Sequence, residues 1–282
     1  MELVEETDAH ALLAEAQPLF APREVENNLP LGVLKMVSQG LYRGVAPWLW
    51  SVRDGAQLIG MAIRTPPFPL VLSDLPDAAC AVLAEGILAR TSFPLPLNGP
   101  RDVVDRVTDQ LVQRSAVKVE LLYNMRLFEL RQVTPPPPTA GAMRRATAAD
   151  APVLTQFMDG FERESLPEQV GTRDLRTVID NMIAQGRGFL WQDGEQAGAM
   201  AAFNRRVGAG TSIGAVYTPP ALRKRGYATA LVAALSQHML DDGCAYTCLF
   251  TNLANPISNS IYPKVGYRAV CDTRHVRVLA AS

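Results

Sequence analysis

The sequence predicts a two-domain protein of the α+β / α/β class, each domain a sheet flanked by helices. Three observations carry that prediction. Two strand–turn–strand segments, WLWSVRDGAQLIGMAIR (Trp48–Arg64) and GFLWQDGEQAGAMAAFNR (Gly188–Arg205), repeat one pattern about 138 residues apart, close to half of the 282-residue chain. Four consecutive prolines, Pro135–Pro138 within VTPPPPTAGA, stand between them. The stretch Thr211–Ala234, TSIGAVYTPPALRKRGYATALVAA, reads as a buried strand, a basic loop and a helix.

Each repeat joins two apolar runs through Asp-Gly, at Asp54-Gly55 and at Asp193-Gly194, which is a strong hairpin signal. Each also carries a glycine in its second strand, Gly60 or Gly198. Such hairpins are common, so chance similarity stands as the alternative to duplication. Phe68–Leu72 reads as a further strand, and SDLPDAACAVLAEGILAR after it as a helix with Asp74 and Asp77 at its start. The segment NGPRDVVDRVTDQLVQRSAVKVELLYNMRLFELRQV fits a helix, Asp102–Ser115, and two strands. The prolines favour an extended polyproline II spacer of roughly 12 Å, at about 3.1 Å per residue. Domain boundaries therefore fall at 1–132, 133–142 (linker) and 143–282. Past the linker, Met143–Ala146 looks like a strand, and Thr147 with Asp150 forms a capping pair for a helix through Pro152–Arg163.

In the strand of Thr211–Tyr217, small and apolar residues dominate, and Pro219-Pro220 cannot continue a ladder. Arg223, Lys224, Arg225, Gly226, Tyr227 and Ala228 follow, then Leu231, Val232, Leu235 and Met239 at helical spacing. Gly226 lets the backbone approach a ligand closely, and the first helical turn leaves amide N–H groups without intrahelical partners. With the helix dipole and three adjacent cations, this makes a site suited to a phosphate. An ordinary strand–turn–helix with a solvated charge run is the alternative. Next, Ala245–Phe250 reads as a buried strand, and Asn255 as the N-cap of a helix from Pro256 to Val265. Gly266 sits where a left-handed C-cap belongs, and Tyr267 opens an extended stretch ending in CDTRHVRVL. Ser258, Ile261 and Tyr262 share one face of the short helix by i, i+3, i+4 spacing.

Taken together, Arg223-x-x-Gly226-x-Ala228 and, about thirty residues on, Asn255-x-x-Ser258-x-x-Ile261-Tyr262-x-x-x-Gly266-Tyr267 resemble the GCN5-related N-acetyltransferase (GNAT) superfamily. Ala228, Ser258 and Tyr267 are mild departures from glycine, alanine and phenylalanine in its pattern. The resemblance implies two tandem acyl-CoA N-acyltransferase domains, each a mixed, mostly antiparallel sheet flanked by helices. The motifs lie between Val216 and Tyr267, so residues 1–132 are read as a degenerate domain without the cofactor motif, as in tandem members of the superfamily.

The resemblance also implies acetyl-CoA as cosubstrate and an amine as acceptor. Main-chain groups of Val216, Tyr217 and Thr218 would face the pantetheine arm and the acetyl carbonyl. Amides of Lys224, Arg225, Gly226, Tyr227, Ala228 and Thr229 would hold the diphosphate, with the Arg223 and Lys224 side chains reaching other phosphates. Asn255 and Ser258 would lie near the pantetheine. Tyr262 would protonate, or hydrogen-bond, the departing thiolate. An alkylamine is protonated at neutral pH, so a base is needed. Glu162 and Glu164, in the FERES segment, lie where the superfamily lines its acceptor cleft, and Glu164 is preferred; solvated acids at a helix end are the alternative. His10, His238 and His275 read as structural or solvent-facing.

Composition narrows the rest. With 48% apolar and 20% charged residues the chain supports two cores, and a formal net charge of −1 argues against a general nucleic-acid or membrane-surface binder. No apolar run approaches a membrane span, and the acidic MELVEETDAH is the reverse of a signal peptide. Cys80, Cys244, Cys248 and Cys271 show no paired zinc spacing, so no metal is expected and reduced thiols in the cytoplasm are. A small-molecule amine acceptor is the expected partner, a homodimer is left open, and an acyl-CoA-binding sensor without turnover is the alternative function.

Overall fold

The computed structural model describes residues 1–42, 46–167 and 170–281. It divides the chain into two compact units, Met1–Leu127 with Val270–Ser282, and Phe128–Ala269.

The first unit runs β1 (Glu2–Glu5), α1 (Ala9–Phe20), α2 (Asn28–Ser38), β2 (Trp48–Asp54), β3 (Gln57–Arg64), β4 (Leu70–Leu72), α3 (Asp77–Arg90), β5 (Leu95–Pro100), α4 (Arg101–Arg114) and most of β6 (Val117–Leu130). The second runs β7 (Ala142–Arg145), α5 (Ala151–Ser165), α6 (Leu175–Ala184), β8 (Gly188–Asp193), β9 (Gln196–Val207), β10 (Gly210–Tyr217), α7 (Tyr227–Asp241), β11 (Tyr246–Asn252), α8 (Pro256–Val265) and the start of β12 (Arg268–Ala280). The order of strands and helices is the same in both, as duplication requires.

The hairpins match in detail. Asp54 pairs with Gln57 and Asp193 with Gln196, closing two-residue turns whose first residue is a glycine at φ +58° in both. Each hairpin then carries a bulge at the same place, between Val52 and Arg53 and between Trp191 and Gln192. In both units the next strand pair is parallel, β4 with β5 and β10 with β11, while the hairpin pairs are antiparallel.

Strand alternation in the second unit sorts side chains onto two faces. Phe189, Trp191, Ala199, Ala201 and Ile213 pack against Leu231, Leu235 and Met239 of α7. Leu190, Met200 and Ala202 point the other way, onto Leu154, Phe157 and Met158 of α5 and Ile179 and Met182 of α6. Gly198 is needed here, because a Cβ would come within 2.5 Å of the Tyr227 ring. Asp150 caps the entry to α5: the Thr147 N–H and hydroxyl donate to its carboxylate at 2.8 and 2.9 Å, and Arg144 donates at 2.6 and 2.7 Å. Tyr267 joins α7 to β11 through a buried hydroxyl shared with Ser236 and Thr247 at 2.9 and 2.8 Å.

Three sequence expectations need correction. The two strands expected after α4 are one fourteen-residue strand, β6. Asn124, which resembles a turn residue, lies within it and accepts a hydrogen bond from Arg274 at 3.1 Å. The C-terminal residues do not stay with the second unit. Val270–Ser282 belong to the first, where β12 pairs antiparallel with β5 from Thr273↔Pro100 to Val278↔Leu95 and buries Val276 and Val278 in its core. The proline run, expected as a stiff spacer between the domains, is part of the second unit and fastened to it. The Thr134 N–H donates to Val265 O at 2.7 Å, and Trp191 Nε1 donates to Ala140 O at 2.7 Å.

His275, on β12, is 5% exposed, with its ring edge-on to Tyr123 at 4.7 Å between centroids and Nε2 without a partner among the described residues. Burial, with Arg277 nearby, pushes its pKa down to about 4. The unfolded chain, at about 6.5, therefore binds the proton that the folded one excludes. Stability is fully present above 6.5 and falls as pH drops toward 4, by about 3 kcal/mol. His275→Leu is expected to flatten that slope in denaturant melts between pH 7 and 4; an unchanged slope assigns it to carboxylates.

Candidate active site

The geometry is set by where β10 stops pairing. It runs parallel to β11 only over Gly210↔Tyr246, Thr211↔Thr247 and Ser212↔Cys248, though both strands continue. On its other side the ladder with β9 is interrupted between Gly214 and Tyr217, and Ala215 takes φ +51°. That value lies in the left-handed region which side chains rarely enter, and a bulge accounts for it. Beyond Ser212, then, β10 is forked from β11 and turns main-chain groups away from the ladder. The Ser212 hydroxyl, on a residue 3% exposed, and the Thr218 hydroxyl are buried without partners among the described residues. Buried hydroxyls in that state call for an outside acceptor or donor.

After β10 the chain makes a single 3-10 turn, Pro220–Leu222, and two left-handed steps, Lys224 at φ +66° and Gly226 at φ +85°, before α7. Gly226 is the N-cap and supplies no side chain, so the first-turn amides have no capping acceptor. The Lys224 and Arg225 side chains are exposed and take no ion pair among the described residues. Donors, dipole and free cations thus converge on one corner, which fits a diphosphate.

The side chains around this loop do not all face the corner. Tyr227 turns inward: it is 3% exposed and its hydroxyl donates to Asp193 at 2.5 Å, so only its amide faces the loop. Arg223 does not hold its guanidinium free for phosphate. Nη2 donates to both Glu164 oxygens at 2.7 Å, and Nε donates to Thr218 O at 3.0 Å. The Tyr217 hydroxyl donates to the same Glu164 at 3.1 Å, and burial with the nearby carboxylate pushes its pKa up. Glu164 therefore closes a cluster with the end of β10 and the basic loop, an arrangement that the sequence spacing does not reveal. Glu162 is turned inward at 2% exposure and bound to Arg173 at 2.6 Å.

The second motif forms as read. The Asn255 side chain accepts from the Ser258 N–H at 3.1 Å, Pro256 opens α8, and Gly266 closes it at φ +108°. Tyr262 lies in a cluster with Phe128, Val232, Leu249 and Tyr267, its ring 6.0 Å from Phe128 and 5.8 Å from Tyr267. Burial pushes its phenol up to about 12, so it keeps its proton throughout the neutral range. Among the described residues its hydroxyl has no hydrogen-bond partner.

The matching corner of the first unit is closed. Asp74 and Asp77 stand before and at the start of α3, paired with Arg23 and Arg106 respectively. Carboxylates there repel an anion and use up the nearby guanidinium groups.

Residues 190–278 match the model of the FR47-like protein family. The fold recurs along the full chain in solved structures. A Drosophila protein aligns at TM-score 0.69 and 17% identity over 99% of both chains. A GNAT-family acetyltransferase from Colwellia psychrerythraea aligns at 0.60 and 11% over 99% of this chain and 100% of that one. A tandem GNAT protein from the clavulanic acid biosynthesis pathway aligns at 0.61 and 13% over 100% and 98%. Along its whole length the chain shares the fold of these GNAT proteins. No curated protein matches the sequence. Within this shared fold, the fork of β10, the loop at Gly226 and the helix of Tyr262 are all in the second unit. No helix among the described residues is long and apolar enough to cross a membrane.

Proposed function

We propose that the protein is an N-acetyltransferase that moves an acetyl group from acetyl-CoA to the amine of a small molecule by direct attack. The observation that carries this reading is the fork: β10 leaves β11 after Ser212 and leads straight into a loop of uncapped amides. Acetyl-CoA, when bound, supplies an acetyl group already activated as a thioester. The chain's own residues do the rest. Amides of Gly226 to Thr229, with Lys224 and Arg225, hold the diphosphate. Main-chain groups of Val216, Tyr217 and Thr218 line the pantetheine arm, and an amide there stabilises charge developing on the carbonyl oxygen. Asn255 and Ser258 flank the arm from α8.

The Tyr262 hydroxyl, protonated and without an acceptor among the described residues, donates to the leaving sulfur. Full transfer to a thiolate of pKa about 8.5 is uphill from so weak an acid, so its contribution is a hydrogen bond that strengthens as charge builds. Glu164 receives the amine's proton, through water that reaches its half-exposed carboxylate. Its engagement by Arg223 and Tyr217 favours a second reading, an acyl-CoA-binding sensor without turnover. A panel of amines assayed for free CoA separates the two: release with any acceptor supports the enzyme, and binding without release supports the sensor. For the enzyme, Tyr262→Phe is expected to lower kcat about a hundredfold with little change in acetyl-CoA affinity. An unaltered rate would remove Tyr262 from the chemistry.

A further inference from the structure

We infer that the proline run is a wall of the acetyl-CoA site, and that Thr139 at its end is a positioning residue that donates a hydrogen bond to the diphosphate. The inference rests on the acetyl-CoA reading above.

The segment is built as a strap. It is fixed at one end by the Thr134 N–H on Val265 O, and at the other by Trp191 Nε1 on Ala140 O, both at 2.7 Å. Four prolines between those points hold it extended, with little freedom to move aside. At its far end Thr139 lies directly against the N-cap of α7: a Cβ placed on Gly226 would stand 2.8 Å from Thr139 Oγ1 and 3.6 Å from its methyl. The hydroxyl is poorly used within the protein. It donates to Pro137 O at 3.4 Å, at the outer limit of a hydrogen bond. A donor held beside uncapped first-turn amides, and nearly free, is placed for an anion on those amides. The Ser212 hydroxyl, buried and without a partner among the described residues, lies at the fork of the strand that leads into this loop.

A hydroxyl to a phosphate oxygen is a charge-assisted bond, about twice as strong as a neutral one. Loss of one such bond weakens binding about tenfold. The test uses the full chain and three proteins: wild type, Thr139→Val, which keeps the shape and removes the donor, and Thr139→Ser, which keeps the donor. Calorimetric titration with CoA is expected to show about tenfold weaker binding for the valine variant and near-wild-type binding for the serine variant. With acetyl-pantetheine, which lacks the diphosphate, kcat/KM is expected to be equal in all three. Equal CoA affinity in Thr139→Val would overturn the role of Thr139 alone. An equal loss with acetyl-pantetheine would make Thr139 merely structural and overturn it too. Wild-type protein that takes no CoA would overturn the acetyl-CoA reading and this inference together.

Discussion

Gly226→Asp is expected to abolish CoA binding while leaving the fold in place. Three effects add at this position. The backbone is left-handed at φ +85°, which costs a side-chain-bearing residue about 1–2 kcal/mol. The new Cβ stands 2.8 Å from Thr139 Oγ1, so the Thr139 side chain must give way. Above all, a carboxylate enters the corner proposed for the diphosphate. Two unit charges about 4 Å apart at an effective dielectric constant near 20 repel by about 4 kcal/mol, or roughly three decades of affinity. Gly226→Ala separates strain from charge, since it carries the first two effects only and should bind measurably. Calorimetry reads both variants, and thermal melts check that they are folded. Wild-type affinity in Gly226→Asp would take the diphosphate away from this loop.

Removing Val270–Ser282 is expected to unfold the first unit, although these residues follow the second in sequence. The deletion strips β12 from β5 and uncovers the core that Val276 and Val278 help to fill. Two fully buried valines contribute about 3–6 kcal/mol, against a typical domain stability of 5–15 kcal/mol, before the lost ladder is counted. A fragment of residues 143–282 is expected to fare badly for the complementary reason. It carries β12 with no β5 to pair with, an open strand edge with Val276 and Val278 uncovered. A fragment of 128–269 keeps the second unit's residues without that strand. Sedimentation of the two fragments tests the division, and a soluble, monomeric 143–282 would contradict it.

The sequence disclosed those parts whose signals are local. Asn255-Pro256 and Gly266 bracket α8 to the residue, because capping and left-handed termination are properties of single positions. The Asp-Gly turns gave both hairpins for the same reason. Partner choice is not local. CDTRHVRVL alternates as a strand should, but period two says only that β12 is a strand, not that it lies on β5. The two strands read after α4 proved to be one, and Asn124 within it accepts a hydrogen bond from Arg274, 150 positions away, a pairing that no local signal reveals. The same limit hid the Arg223–Glu164 clasp and the approach of Thr139 to Gly226. Each brings together residues more than fifty apart, and the basic run RKR looks identical whether its first member meets a phosphate or a carboxylate.

Because strand β12 closes the first unit's sheet, that unit cannot be completed during its own synthesis. When Leu127 leaves the ribosome, the edge of β5 has no neighbour, and its partner is encoded at the far terminus. At bacterial or eukaryotic elongation rates of about 5–20 residues per second, the wait is roughly 10–30 s. In that interval the second half has already emerged and can begin to fold. The amino-terminal half of this chain is thus translated first and finished last, and its exposed edge is the stage at which a chaperone has the most to protect.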